Sequence, residues 1–334
     1  GLSVTEIVKR ADNDHAVTMF FSKTMDDDSI SNKSNYVFRD GTGQVKSLPG
    51  GATVTSSYDD KSVTIEFSSN YTIGSGSSST SVIQLGVKDV VDQDGNSLDL
   101  GSYIGDISTD YSSDGPGLIS GTSQMTFSGD DIKVKVSLTG SLDILDMNDF
   151  RVDGYTPDSI SSSGNDVVLT YKSGVKNGEK INAIKNCGES TNVSIVNSNS
   201  VDSAGRSIRT GSTIIYIPPT TKSDQFTAVS SSNNDTVNVV FNQSLDKDIQ
   251  NQYSDDFEFK DTTTGKTLSP TSVSVDGKNV VYKFSSSSFD KGDTIKISAN
   301  SSSINIRSEK HGNYGYTTYS PSSDDLDGYT VTAK

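Results

Sequence analysis

Hydrophobic and polar residues alternate along this chain in short runs, and one such run recurs three times. Val17-Thr18-Met19-Phe20-Phe21 leads to Met25-Asp26. Ile132-Lys133-Val134-Lys135-Val136 leads to Leu142-Asp143, and Val237-Asn238-Val239-Val240-Phe241 leads to Leu245-Asp246. The hydrophobic–Asp pairs stand 117 and 103 residues apart. Period-two alternation places every second side chain on one face of a strand. The spacing is that of one small two-sheet sandwich. The chain therefore reads as all-β, with three tandem β-sandwich modules over 1–108, 109–217 and 218–334.

The copies agree beyond this run. About ten residues on, a polar residue and an aromatic open a strand: Asn35-Tyr36-Val37-Phe38, Asp149-Phe150-Arg151-Val152 and Asp256-Phe257-Glu258-Phe259. A turn then leads into Asp60 to Phe67, Gly164 to Tyr171 and Asp276 to Phe284, with Asp276-Gly277 a strong hairpin signal. A further strand is expected at Ser81–Leu85, Lys180–Ile184 and Thr294–Ile297. A polar loop containing Gly ends each copy: Val91 to Leu98, Val201 to Ile208 and the divergent Arg307 to Tyr314. Helical periodicity is scarce. The best candidates are Ser141 to Met147, with Ser141 or Asp143 as cap, and Asp246 to Tyr253. The joints fall at Asp106 to Gly117 and at Ile217-Pro218-Pro219-Thr220-Thr221, where paired prolines stiffen the link.

This series of strand, hydrophobic–Asp pair, Asn-Tyr-Val-Phe strand and Val91-Asp92-Gln93-Asp94-Gly95-Asn96-Ser97-Leu98 resembles the bacterial Ig-like domains found in tandem in Gram-positive surface-layer and related cell-surface proteins. The first module carries the resemblance best, the second keeps it with Val201-Asp202-Ser203-Ala204-Gly205-Arg206, and the third departs at its Gly loop. The resemblance implies three tandem Ig-like β-sandwiches and an extracellular, repetitive, non-catalytic protein whose assembly depends on calcium. A wall-anchoring domain is not visible, so attachment to cell-wall polymer is expected through regions outside this chain. The strand-like segment directly after Gly1 gives the same expectation: a segment of a longer exported protein.

Composition narrows the partners. With 43 acidic and 28 basic side chains the formal charge is −15, so no basic face is expected for nucleic acid. Hydrophobic residues are only 31% of the chain, yet they cluster in the alternating runs, which argues against disorder and for modest separate cores. The single cysteine, Cys187, excludes an intrachain disulfide framework and a cysteine-rich zinc site. No apolar run reaches the length of a membrane span.

Acidic loops are the candidate chemistry. Asp92, Asp94 and Asn96 alternate around Gly95, as oxygen ligands of a calcium loop do, although Tyr103 stands where an EF-hand needs its twelfth-position acid. The competing reading is a turn whose Asp and Asn bond local backbone. Asp106, Asp110 and Asp114 recur every fourth residue in the first joint, where a bound cation would relieve their repulsion and stiffen the link. Asp26-Asp27-Asp28 offers another such cluster or a capped turn, and Asp324-Asp325-Leu326-Asp327 reads more simply as a charged loop. Catalysis has little footing. His15 and His311 belong to different modules, Trp is absent, and Gly41-Thr42-Gly43 lacks the lysine of a phosphate loop.

The expected function is a non-catalytic spacer and lateral-assembly rod on the bacterial cell surface, calcium-stiffened at its joints. Its partners are other copies of itself or other surface proteins. The rival readings are an adhesin stalk recognising host protein or glycan, and the accessory region of a secreted polysaccharide-degrading enzyme.

Overall fold

The computed structural model describes residues 1–109, 115–174 and 178–334. Along them stand three Ig-like two-sheet sandwiches, each folded from the alternating runs. In the first, the strands Val4–Lys9, Ala16–Phe21, Ser62–Glu66 and Thr53–Ser56 form one sheet in that order. Facing it are Val45–Ser47, Tyr36–Asp40 and Ser81–Lys88, with Ser102–Asp106 on the far side of the last. The second module sets Gln124–Ser128, Asp131–Ser137, Asp166–Tyr171 and Ser159–Ser163 against Phe150–Val152, Ser190–Ile195 and Gly211–Tyr216. The third sets Thr227–Val229, Asp235–Val240, Asn279–Phe284 and Ser272–Asp276 against Lys266–Leu268, Phe257–Asp261, Thr294–Ala299 and Tyr329–Thr332.

Alternation decides which side chains fill the interior. Val17, Met19 and Phe21 enter the first core beside Ile65 and Phe38, while Thr18 and Phe20 point to the outer face of the same strand. Each core draws on its own stretch of chain: Leu2 to Ile107, Met125 to Ile217, and Phe226 to Ala333. Two buried tyrosines pair their hydroxyls with backbone, Tyr171 donating to the Tyr155 carbonyl at 2.6 Å and Tyr282 to that of Tyr253 at 2.8 Å. The polar residue ahead of each aromatic strand acts as a clamp. The Asn35 amide donates to the Ser29 carbonyl at 2.8 Å. Asp149 accepts the backbone N–H groups of Asn199 and Ser200, and Asp256 those of Asn305 and Ile306.

Three expectations of secondary structure need correction. Lys180–Ile184 is not a strand but lies within the helix Gly178–Lys185. Ile181 and Ile184, three residues apart, are 4% and 0% exposed and share its buried face. The strand that fills this place in the sheet is Ser190–Ile195, which pairs with Phe150–Val152 as Ser81–Lys88 pairs with Tyr36–Asp40. Ser141 to Met147 is irregular rather than helical, because Ile144 bridges to Val201. Neither Ser141 nor Asp143 caps a helix there; Asp146 caps the short 3-10 turn Met147–Asp149. Asp246 to Tyr253 yields only the 3-10 turn Gln250–Asp255, while Asp246 accepts the Asp248 N–H and the Arg307 guanidinium.

Candidate functional site

The two joints between modules each hold hydrogen bonds and side-chain contacts that link residues far apart in the sequence. At the first, the Gly loop of the second module lies on the outer face of the sheet containing Ala16–Phe21 and Ser62–Glu66. The Ser203 carbonyl accepts from Thr18 Oγ1 at 2.6 Å, Thr64 Oγ1 at 3.2 Å and Arg10 Nη1 at 3.2 Å. The Ala11 N–H donates to the Ala204 carbonyl at 2.7 Å. Val8, Ala16 and Thr18 on that face are at most 1% exposed. Arg206 reaches Glu6 at 3.4 Å and lies over the Phe20 ring, and Ser141 Oγ donates to Asp59 at 2.8 Å. Gly205 suits the loop through its φ of +72°, and the Asp12 carboxylate packs close against it.

The second joint uses the divergent loop of the third module. The His311 ring stacks on Tyr216 with centroids 3.9 Å apart and planes 4° from parallel, and Tyr314 meets Tyr216 edge-on at 4.9 Å. Gln243 and Asn242, buried between the modules, donate to the Ile217 and Gly188 carbonyls at 2.7 and 2.8 Å. Ser320 Oγ donates to the Phe127 carbonyl at 3.0 Å, and Ser323 donates through N and Oγ to Asp130. Burial lowers the His311 pKa, against the opposing charges of Glu189 and Glu309. A cavity of about 410 Å³ opens here between Ser123, Met125, Phe127, Tyr216, Tyr314 and Tyr319. Among its rings, Tyr216 meets His311 and Tyr314, Phe127 lies under Lys185 Nζ at 4.8 Å, and Arg307 lies 3.8 Å over Tyr316.

The predicted metal residues are placed as follows. Asp92 turns its carboxylate into its own loop, accepting the N–H groups of Asp94 and Asn96 at 2.9 Å each and the Asn96 amide at 3.1 Å. These donors, the Asn96 backbone first, lower its pKa. Asp94 points to solvent. Asp26 caps a short helix through the Ser29 N–H, and Asp28 is exposed. Asp106 accepts from Gln84 at 2.7 Å. Asp110 and Asp114 lie outside the described residues. Among the described residues no three His, Cys, Asp or Glu side chains gather in a group able to hold a metal.

The fold also brings Asp60 beside Asp26 and Asp27, a proximity invisible in sequence. The Asp60 pKa is raised, first by burial and then by the charge of Asp27. Asp325, in the C-terminal acidic run, closes a capping box with Ser322. Sequence reasoning missed Arg10, Thr18, Thr64 and Ser203. None carries a motif; only the polar outward positions of the alternating strands hinted at them.

No family model matches the chain, and no curated protein matches it in sequence. Among solved structures it is similar to the I9–I11 tandem of titin, at 8% identity over 95% of this chain and 98% of that one, with a TM-score of 0.26. It is also similar to domains 1–6 of the surface layer protein SbsC, at 8% identity over 90% of this chain and 52% of that one, with a TM-score of 0.25. A third is the Escherichia coli α2-macroglobulin segment MG0-NIE-MG1, at 11% identity over 90% and 94%, with a TM-score of 0.23. Superposition this loose has no bearing on function, whereas the joints do.

Proposed function

We propose that this chain is a structural, non-catalytic segment of an exported bacterial surface-layer or cell-wall-associated protein, serving as a spacer whose module angles are fixed. The observation that carries this reading is the pair of sealed joints. Each is closed by the Gly loop of the later module, and each joins apolar contact to directional hydrogen bonds that fix one mutual orientation. An open joint would expose Val8 and Ala16 to water and break the three bonds to Ser203. Flexible linkers need no such contacts.

Its chemistry points the same way. The His15 ring bonds the Tyr71 carbonyl at 2.8 Å, and that of His311 meets Gln243 and Tyr216, so neither is paired with a nucleophile and an acid. Burial raises the Cys187 pKa, leaving it a poor nucleophile. No helix among the described residues is long and apolar enough to cross a membrane.

Small-angle scattering tests the reading. A single elongated conformation, with a maximum dimension that does not grow on mild heating below the melting range, is the expected result. A broad distance distribution characteristic of beads on a string would refute it.

A further inference from the structure

In the first and third modules the hairpin after the aromatic strand turns on a buried aspartate, and the two are neutralised differently. Asp40 and Asp261 each end that strand, two residues after Phe38 and Phe259, and are 1% and 0% exposed. In both, Oδ1 gathers the backbone of the hairpin. Asp40 takes the Thr42 and Gln44 N–H groups at 2.9 and 3.1 Å, and Asp261 those of Thr263 and Thr264 at 3.0 and 3.3 Å. The other oxygen of Asp40 meets the Lys46 ammonium at 2.6 Å. The other oxygen of Asp261 is buried with no hydrogen-bond partner.

Strand register shows what replaced the lysine. Lys46 stands opposite Phe38, and Leu268 stands opposite Phe259. An apolar side chain thus takes the place of the ammonium. On the other flank Val82 is opposite Asp40 and Ile295 opposite Asp261, so Asp293 corresponds to Thr80, each two residues earlier. Asp293 is 9% exposed, and its carboxyl lies at hydrogen-bond range of Asp261. The third module therefore sets a second acid against an oxygen that the first module gives to a cation.

Two buried carboxyls at this range do not both stay ionised unless a cation joins them. Among the described residues no basic group does so. Lys266, across the hairpin from Asp261, Lys291 in the neighbouring loop and Lys334 beyond the terminal strand are all exposed, and they ion-pair with neither carboxyl. The further charge bearing on Asp293 is that of Asp290, also negative. One proton satisfies the geometry. Asp293 Oδ2 accepts the Asp290 N–H at 2.9 Å, which leaves Oδ1 to carry that proton. Burial works against the Asp261 anion, but the Asp293 bond and the Thr264 and Thr263 donors lower its pKa. The Asp290 N–H favours the Asp293 anion, but the Asp261 bond and burial raise its pKa.

We propose that Asp293 Oδ1 donates one shared proton to Asp261 Oδ2, and that this proton latches the C-terminal end of the third module, closed in acid and released as pH rises. The latch acts through the backbone. The Asp293 carbonyl accepts the Ala333 N–H at 2.8 Å, and the Gly292 N–H donates to the Ala333 carbonyl at 2.9 Å. While the proton is shared, the hairpin, the loop from Asp290 to Asp293 and the end of the chain are held as one piece. Its loss leaves two facing anions, whose repulsion parts the loop from the hairpin. A carboxyl raised in the folded chain contributes stability that is fully present below its ordinary 3.8 and is lost as pH rises through the folded value. The latch stands apart from the spacer reading, which needs no titration.

Carbon-13 NMR of the aspartate carboxyls is the test, assigned through the backbone of the whole chain and recorded across pH with EDTA to exclude metal. Asp293 should titrate above 3.8 and Asp261 below it. Protection of the Ala333 amide from hydrogen exchange, corrected for the intrinsic rate, should fall severalfold as pH rises through the Asp293 step. Asp293→Asn keeps a donor for Asp261 and cannot titrate, so its Ala333 protection should stay level. Asp256 titrates in both proteins, so the difference between them belongs to Asp293. Both carboxyls titrating near 3.8 overturns the shared proton, a result that needs no variant to fold. Ala333 protection that does not change across the wild-type step, or that falls equally in Asp293→Asn, overturns the latch.

Discussion

Thr18 Oγ1 donates to the Ser203 carbonyl across 2.6 Å and across the boundary of two modules, from a side chain with 0% exposure. The same hydroxyl lies 2.9 Å from Thr64 Oγ1, which also reaches Ser203. Replacing Thr18 with Val keeps the shape and removes the shared donor. It leaves a buried carbonyl with weaker partners and should cost about 1–2 kcal/mol. The expected readout is a wider distance distribution in scattering with little change in the far-UV spectrum. An unchanged distribution would mean that the linker, and not this bond, sets the angle.

The Asp92 and Asp202 carboxylates each collect the N–H groups of their own loop. Asp92→Ala should lower stability by about 1–3 kcal/mol, because the orphaned donors are partly buried. The drop in melting temperature should be equal in calcium and in EGTA, since the bonds that are lost are to backbone. A drop seen only in calcium would make the loop a cation site after all. Asp202→Ala carries a further effect, because the loop it holds is the one seated on Thr18.

Strand positions were legible because alternation is a direct imprint of a two-faced sheet. Val17, Met19 and Phe21 can only be sorted one way. The helix Gly178–Lys185 was not, since Ile181, Ala183 and Ile184 satisfy both a two-residue and a three-residue period, and the threefold repeat favoured the strand. The loop acids were legible as important but not in role: Asp-x-x-Gly serves an ion and an Asx turn equally well. The joint faces were illegible. Thr18 and Thr64 look like any solvent-facing residues until the fold places Ser203 against them.

His311 makes the second joint sensitive to pH. Its pKa in the folded chain is lowered from the ordinary 6.5 by burial against Tyr216 and Gln243, with Glu189 and Glu309 opposing. A depressed group contributes stability above its free value and loses it as pH falls through the folded one. The joint should therefore loosen below about pH 6.5, seen as growth of the maximum dimension. His311→Phe keeps the stacked ring, cannot titrate, and should remove the dependence. Persistence of the same pH response in that variant would place its source elsewhere.

Asp256 works in the opposite sense within the third module. Burial raises its pKa from 3.8 to about 6, outweighing the Asn305 and Ile306 N–H groups that favour the anion. Between these values the folded chain holds a proton that the unfolded chain has lost, so stability rises as pH falls from about 6 towards 4 and levels off below. The gain from this one carboxyl is up to about 3 kcal/mol. Asp256→Asn has no proton to gain, so its melting temperature should lack this rise while the rest of the acid profile is shared. Calorimetry of the two proteins over that range isolates the contribution of Asp256, because the other carboxylates and His311 contribute equally to both. A wild-type profile parallel to that of Asp256→Asn would show that the clamp holds its loop as an ordinary ionised carboxylate.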